Sequence, residues 1–194
     1  MQRLLSILAA IWLVSAGSAA LAQSDWKDYV EDPGTRDESV EDNPEWEKYD
    51  FELSLAGSDE TMSFREIARK GEPFVIVWWL TNCPMCHLQM PFVQKLFRNT
   101  QEAGVEFGVY GICIDSHREE GLKYIDEHSI AFDILIDERA RRTREFYRVD
   151  ELGTPLAYIF NEKGILVDKI EGYRNNFGSA VLKMLEIELP GADK

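Results

Sequence analysis

The chain has 194 residues, the size of one ordinary domain, and its 21 Lys and Arg against 35 Asp and Glu give a formal net charge of −14. That acidity disfavours a nucleic-acid-binding protein, which needs a basic face. Hydrophobic residues make up 45% of the chain, enough for a buried core and too many for a wholly disordered protein, and three cysteines are too few for a disulfide-stapled miniature fold.

The first 22 residues have the three parts of a secretory signal: Arg3, an apolar run from Leu4 to Val14, and small residues up to Ala22. The apolar run is shorter than the ~20 residues that a membrane-spanning helix needs. We therefore predict that residues 1–22 are a signal peptide and that the mature protein is periplasmic, where disulfides persist. An uncleaved anchor is the alternative, and it would also leave the rest of the chain outside the membrane.

The next segment is strongly acidic. Residues 24–50 contain eleven acidic and three basic residues, a net charge of −8, and show no sustained helical or alternating apolar pattern. We therefore predict that residues 23–50 are a solvated, flexible leader. Four aromatic residues interrupt it: Trp26, Tyr29, Trp46 and Tyr49. The second pair is expected to pack where the folded domain begins; docking of this segment onto a partner or onto the domain is the alternative.

From residue 51 onward, strands alternate with helices. Phe51 to Leu55 alternates apolar with polar residues before a turn at Gly57, which indicates a hairpin, and Ser63 with Glu66 forms a capping box at the start of a short helix. The later predictions are a strand at 74–80, a helix at 84–103, a strand at 105–114, a helix at 119–128, a strand at 132–136, an Arg-rich helix at 138–147, a hairpin of 156–160 with 165–170, and a helix at 177–187. Residues 51–194 are thus predicted to form one α/β sandwich around a central mixed β-sheet flanked by helices.

The chemistry concentrates where the first buried strand runs into its helix, at Cys83-Pro84-Met85-Cys86. The unpaired amide groups at a helix start favour a thiolate and can lower a thiol pKa from ~8.5 into the range of roughly 3.5 to 7.5. Cys83 is therefore predicted to be the attacking thiol, and Cys86, one turn inside the helix, to resolve the mixed disulfide. The strand-to-helix setting indicates a redox motif; a metal site and an inert structural disulfide are the alternatives.

These residues resemble the thioredoxin-like proteins and, among them, the exported TlpA/ResA-like thiol-disulfide oxidoreductases. The resemblance covers about residues 50–187. It is carried by Phe51-Glu52-Leu53 with its hairpin, Trp79, the Cys83/Cys86 pair, Pro91, and Gly153-Thr154-Pro155 with the strand and the Gly164 turn that follow. The resemblance implies a cis peptide bond between Thr154 and Pro155 that faces the Cys pair and offers backbone to a bound substrate strand. It also implies exchange with protein thiols or disulfides without a cofactor, in the reducing direction, with electrons supplied by a membrane partner.

The sequence departs from this family at two carboxylates. The buried acid that many thioredoxins carry six positions before the first Cys falls on Val77, and the Glu that many TlpA/ResA-like proteins place two residues before the kinking proline falls on Gln89. The resemblance therefore leaves the proton acceptor for Cys86 unidentified. Gln89 and His87 are the candidates for proton handling, since Gln89 occupies the family's position and a His changes charge near neutral pH. A solvent-facing helix residue is the alternative for His87.

Two other functions remain open. A copper-handling protein would use soft ligands, which suit Cu(I), although Met is often a filler of core gaps. The candidate ligands are Cys83, Cys86, Met85, Met90 and His87. A non-catalytic binding module would use the same scaffold with the acidic leader as its interaction segment. A peroxidase is disfavoured, because the Pro and Thr expected ahead of a peroxidatic Cys fall on Ile76 and Leu80.

The third cysteine, Cys113, lies inside the second buried strand. We expect it to be a buried thiol that behaves as a small hydrophobic residue. A relay cysteine or an intermolecular disulfide partner is the alternative, because an odd cysteine in an exported chain invites one.

Overall fold

The computed structural model describes residues 43–190. The predicted signal peptide and most of the predicted leader, residues 1–42, lie outside the described residues, as do residues 191–194. The strands and α-helices are β1 (Glu52–Leu55), β2 (Thr61–Ser63), α1 (Phe64–Ala68), β3 (Phe74–Trp79), α2 (Pro84–Glu102), β4 (Gly108–Cys113), α3 (Arg118–Glu127), β5 (Asp133–Ile136), α4 (Arg144–Tyr147), α5 (Val149–Leu152), β6 (Leu156–Phe160), β7 (Leu166–Glu171) and α6 (Phe177–Met184). None of the helices within residues 43–190 is both long enough and apolar enough to cross a membrane.

The strands form one mixed sheet in the order β2-β1-β5-β4-β3-β6-β7. β3, β4 and β5 are parallel, whereas β1 and β6 run antiparallel to the strands beside them. Every residue of β3 is buried, because this strand lies in the interior of the sheet and is covered on both faces. The predicted α/β sandwich with a central mixed sheet is confirmed.

Each face of the sheet carries its own apolar core, because successive side chains of a strand point to opposite faces. On the face of α1, β3 contributes Phe74, Ile76 and Trp78. On the face of α2, α3 and α6, it contributes Val75, Val77 and Trp79. The second face is the one that positions the candidate site, since α2, the first helix after β3, packs on it.

The folded part begins before the predicted boundary at residue 51. Pro44–Lys48 form a short 3-10 helix in which Trp46 is fully buried. The indole N–H of Trp46 donates to the carbonyl of Lys163 at 3.0 Å, and a Cβ at Gly164 would lie 2.6 Å from the indole nitrogen, so a glycine is needed there. The packing of the second aromatic pair at the start of the domain is confirmed. The predicted end of the leader at residue 50 is wrong. The prediction rested on the charge pattern, which does not reveal that one residue of the segment, Trp46, is buried in the domain.

The predicted Arg-rich helix at 138–147 is wrong as one continuous element. The segment is broken into a 3-10 turn at Glu138–Ala140 and the short helix α4. The cause is Asp137, whose buried carboxylate accepts hydrogen bonds from the backbone N–H groups of Arg142 and Thr143 and from the Thr143 hydroxyl. Such local bonds compete with the helical ladder, and Arg139 takes a positive φ of 59°.

The other local predictions are confirmed with small shifts at the ends. The amide of Glu66 donates to the Ser63 hydroxyl at 3.2 Å, while the Glu66 carboxylate accepts from the Ser63 amide at 2.7 Å, so the capping box is complete. β4 begins at Gly108, three residues later than predicted, and α6 ends at Met184, three residues earlier.

Candidate active site

The two cysteines at the start of α2 are joined by a disulfide with a Cα–Cα distance of 5.2 Å. Cys83 is the N-cap residue of α2, and Pro84 occupies the first helical turn, where its missing N–H costs nothing. The amide of Cys86 donates to Cys83 Sγ at 3.1 Å. A hydrogen bond of this kind stabilises the thiolate that forms at Cys83 when the disulfide is reduced.

The two sulfurs differ in accessibility. Cys83 is half-buried, whereas Cys86 is 1% exposed and packs in the core beneath α2. A thiol in another protein can therefore reach Cys83 and not Cys86. Two apolar side chains in the same part of α2 are exposed: Met85, between the two cysteines, is 46% exposed, and Leu88 is 51% exposed.

The loop before β6 faces Cys83. The peptide bond between Thr154 and Pro155 is cis, and the Thr154 carbonyl oxygen lies 3.5 Å from Cys83 Sγ. This proximity follows from the sheet, because β6 pairs antiparallel with β3 and so begins where β3 ends. The predicted cis bond and its position opposite the Cys pair are confirmed; substrate binding by this backbone stays a prediction.

His87 is exposed on the first turn of α2. Its Nε2 lies 2.5 Å from the carbonyl oxygen of Thr81, so the ring contacts the turn that precedes Cys83. The ring also packs edge-on against Tyr124, with centroids 5.1 Å apart, and Tyr124 stacks on His128. His87 is thus held by α3 and the turn, and its role in proton handling stays a prediction.

Gln89 is 1% exposed, on the buried side of α2. Its Oε1 accepts a hydrogen bond from the backbone N–H of Arg174 at 2.7 Å, which ties α2 to the loop between β7 and α6. Its Nε2 has no hydrogen-bond partner within the described part of the chain. The amide cannot be ionised, so a part in proton handling would be limited to hydrogen bonding, and it stays a prediction.

Asp115 is a neighbour of the site that the sequence analysis missed. It lies two residues after the end of β4 and is 3% exposed, and its two carboxylate oxygens accept from the backbone N–H of Thr81 at 3.0 and 3.2 Å. A signal for it exists in the sequence, because an Asp comes straight after the predicted strand at 105–114. The carboxyl ends of the parallel strands β3 and β4 meet at one edge of the sheet, and Asp115 therefore lies beside the turn that carries Cys83.

Cys113 is 1% exposed, and burial raises the pKa of its thiol far above the ordinary range. Its S–H donates to Asp115 Oδ2 at 3.2 Å. The expectation of a buried thiol is confirmed. A relay role would require the Cys113 sulfur to form a disulfide with another cysteine. In the structure Cys113 is a free thiol, and the disulfide joins Cys83 to Cys86.

The proposed copper ligands are not presented together. Met85 is exposed, whereas Met90 is 2% exposed and lies in the apolar core beneath α2. Across residues 43–190, no three or more His, Cys, Asp or Glu side chains are grouped closely enough to hold a metal ion.

A sequence profile of the AhpC/TSA family matches residues 47–169 of the chain. Among similar proteins, the thiol-disulfide oxidoreductase ResA of Oceanobacillus iheyensis is 23% identical over 137 residues, which cover 66% of this chain and 69% of the relative. The ResA of Halalkalibacterium halodurans is 29% identical over 110 residues, which cover 56% of this chain and 57% of that relative.

Solved structures share the fold. The thioredoxin domain of a thiol-disulfide oxidoreductase from Bacteroides vulgatus superposes with a TM-score of 0.59 at 19% identity, covering 70% of this chain and 93% of that structure. StoA from Bacillus subtilis superposes with a TM-score of 0.55 at 16% identity, covering 70% of this chain and 95% of that structure. The chain therefore has the thioredoxin-like fold.

Proposed function

The chain belongs to the AhpC/TSA family, and on that premise we propose that it is an exported thiol-disulfide oxidoreductase that reduces disulfides of partner proteins through Cys83 and Cys86. The observation that carries this proposal is the unequal pair at the start of α2: one sulfur is accessible and receives an amide N–H, and the other is buried one turn further along. Thiol-disulfide exchange needs this division between an attacking and a resolving thiol.

The exchange proceeds in two steps. The Cys83 thiolate attacks one sulfur of the partner's disulfide, which forms a mixed disulfide and releases the first partner sulfur as a thiolate that takes up a proton. Cys86 then loses its proton and attacks Cys83 Sγ, which closes the Cys83–Cys86 disulfide and releases the second partner sulfur. Two electrons pass to the partner, whose disulfide becomes a dithiol, while this chain is oxidised from dithiol to disulfide.

The partner is proposed to bind beside Cys83 as an extended strand. The Thr154 carbonyl lies next to Cys83 Sγ, and the Thr154–Pro155 backbone offers hydrogen-bonding groups in the place where a substrate strand must pass. The exposed side chains of Met85 and Leu88 supply apolar contact at the same end of α2. This arrangement supports protein substrates, because it offers hydrogen bonds to a peptide backbone and apolar contacts to its side chains.

His87 is proposed as the acceptor of the Cys86 proton. It is a titratable side chain on the same helical turn, and its ring is held against the Thr81 carbonyl and Tyr124. Gln89 lies on the buried side of the helix and is proposed to contribute through its hydrogen-bonding amide alone.

Export and the source of electrons complete the proposal. Residues 1–22 carry the pattern of a secretory signal, which supports a periplasmic location. Each turnover leaves the Cys pair as a disulfide in a compartment where disulfides persist. A dedicated electron donor must therefore reduce it before the next turnover. A membrane electron donor is proposed for this step.

The test is to trap the mixed disulfide in the full-length protein. Cys86→Ser keeps the attacking thiol and removes the resolving one, so it should accumulate covalent complexes with partner proteins on non-reducing gels. Cys83→Ser should accumulate none, and Cys113→Ser serves as the matched control that behaves as the unaltered protein. A Cys86→Ser variant that traps nothing would contradict the proposal; stoichiometric copper uptake would then indicate metal handling, and its absence a binding module.

The direction of exchange is tested separately. The unaltered protein is equilibrated with mixtures of reduced and oxidised glutathione, and the fraction of the Cys83–Cys86 disulfide is measured by mass spectrometry after acid quenching. A reductant keeps its disulfide even where reduced glutathione is in large excess. A pair that is half reduced by nearly oxidised glutathione would instead be an oxidant.

A further inference from the structure

The mechanism above leaves the buried carboxylate of Asp115 without a role. Asp115 is 3% exposed and accepts two hydrogen bonds from the Thr81 amide and one from the Cys113 thiol. All of these groups donate, so the carboxylate acts purely as a hydrogen-bond acceptor. Within residues 43–190 it forms no ion pair with a Lys, Arg or His side chain.

The groups around this carboxylate do not neutralise it. Arg139 approaches through its backbone N–H, which donates to the Asp115 carbonyl at 3.1 Å, and not through its guanidinium. On α3, Glu120 adds a second negative charge near Cys113. On α2, His87 reaches the same turn from the other side, on the Thr81 carbonyl. Asp115 therefore has no cationic side chain paired with it within residues 43–190.

The turn before Cys83 is held through both backbone polar groups of Thr81. The Thr81 N–H donates to Asp115, and the Thr81 carbonyl contacts His87 Nε2. The amide of Cys83 in turn donates to the Leu80 carbonyl at 3.4 Å. Since Asp115 is bonded two residues before Cys83 and two residues span at most about 7 Å, its carboxylate lies within about 10 Å of the Cys83 backbone.

The thiolate charge lies on Cys83 Sγ, at a distance of the same order, and over such a distance a negative charge makes a second one more costly. With an effective dielectric constant of about 20, two like charges about 10 Å apart disfavour ionisation by roughly one pKa unit. The thiolate exists only in the reduced pair, so a penalty on the thiolate favours the disulfide form. A pair that favours its disulfide is the stronger reductant.

We propose that Asp115 is a positioning residue for disulfide exchange: it anchors the Cys83 turn through Thr81, and its buried charge opposes thiolate formation at Cys83, which biases the pair toward reduction of partners. Two carboxylate positions expected from the family resemblance fall on Val77 and Gln89, whereas Asp115 supplies a buried carboxylate from the segment after β4. The bias toward reduction rests on the proposed function; the effect on Cys83 does not.

The test uses Asp115→Asn in the full-length protein. The Asn Oδ1 can still accept from the Thr81 amide, so the anchor remains while the charge is lost. The pH midpoint of Cys83 alkylation should fall by about one unit, and the glutathione equilibrium should shift toward the dithiol by up to about tenfold. Asp115→Glu is the matched control that keeps the charge, and it should recover values close to those of the unaltered protein. A role limited to folding would alter the melting temperature without moving the alkylation midpoint.

A folded Asp115→Asn protein with an unchanged midpoint would overturn the proposal. If that variant does not fold, Asp115→Ser provides a second neutral side chain with an acceptor oxygen. Hydrogen exchange of the Thr81 amide in the unaltered protein tests the anchor directly: slow exchange supports it, and exchange at the rate of a free peptide refutes it. Alkylation of Cys83 needs no partner protein. If the Cys pair did not exchange with glutathione but the alkylation midpoint of Asp115→Asn still shifted, the proposed function would be contradicted and the role of Asp115 would stand.

Discussion

Cys113 ends β4, and Cys83 follows the neighbouring parallel strand β3, yet the surroundings of the two sulfurs are opposite. Cys113 is aligned with Trp79, four residues before Cys83. The Cys83 sulfur is half-buried and receives a backbone N–H, whereas the Cys113 sulfur is buried and faces a carboxylate. Donated hydrogen bonds favour a thiolate, and burial beside a negative charge disfavours it. The groups that face each sulfur, more than the residue type, therefore decide which cysteine is reactive.

The largest effect is expected on activity. Cys83→Ser should abolish disulfide reduction, measured with insulin as the substrate, because a serine hydroxyl cannot form a disulfide. Cys113→Ser should keep activity close to that of the unaltered protein, since the serine hydroxyl can still donate to Asp115. A Cys113→Ser protein that folds normally but has lost its activity would contradict the division between the two sites and would revive the relay role.

The second effect is on alkylation of the reduced protein at neutral pH. Iodoacetamide should modify Cys83 first, and Cys113 more than about a thousandfold more slowly, because its thiolate is suppressed by burial and the sulfur is inaccessible. Peptide mass spectrometry over time measures both rates. Unfolding in guanidinium should make the two rates similar; comparable rates in the folded protein would show that Cys113 is accessible.

The third effect concerns stability around Cys113. A Cβ at Gly121 would lie 2.5 Å from the Cys113 sulfur but 3.5 Å from its Cβ. Gly121→Ala should therefore cost about 1–3 kcal/mol of unfolding free energy through overpacking, offset by up to about 1 kcal/mol of helix propensity. Combined with Cys113→Ala, the same change should become stabilising. Urea unfolding of the two single variants and the double variant checks the change of sign, and additive effects would refute the contact.

The smallest effect is a pH dependence of stability in the oxidised protein. The Cys113 pKa is raised by burial, so the folded protein keeps this proton above the pH at which the unfolded chain loses it, about 8.5. Its contribution is complete below that pH and falls by about 1.4 kcal/mol per pH unit as the pH rises above it.

Cys113→Ala should remove this part of the alkaline slope, measured by urea unfolding between pH 8.5 and 10. The buried tyrosines Tyr147 and Tyr158, whose pKa values are also raised by burial, contribute above that range and serve as the internal reference. Equal slopes in the two proteins would show that the Cys113 thiol is hydrated.

Local patterns predicted most of the secondary structure. The capping box at Ser63, the apolar run of β3 and the placement of the Cys pair at a helix start depend on residues a few positions apart, so neighbouring residues suffice to identify them. The Arg-rich segment after Asp137 failed for the opposite reason. Its residues suit a helix, but a carboxylate at the end of β5 binds their amides, and that bond forms only once the strand is in place.

The sequence by itself determined the pair of cysteines, their order along the helix and the strand that leads into them, because these depend on adjacent residues and their spacing. Only the tertiary structure decided which distant groups meet at the site: the Thr154 carbonyl at Cys83, and the carboxylate of Asp115 at the Thr81 amide. Groups far apart in the chain meet because β3 pairs with both β4 and β6. The register of that pairing is set by the packing of two whole cores, which no short stretch of sequence contains.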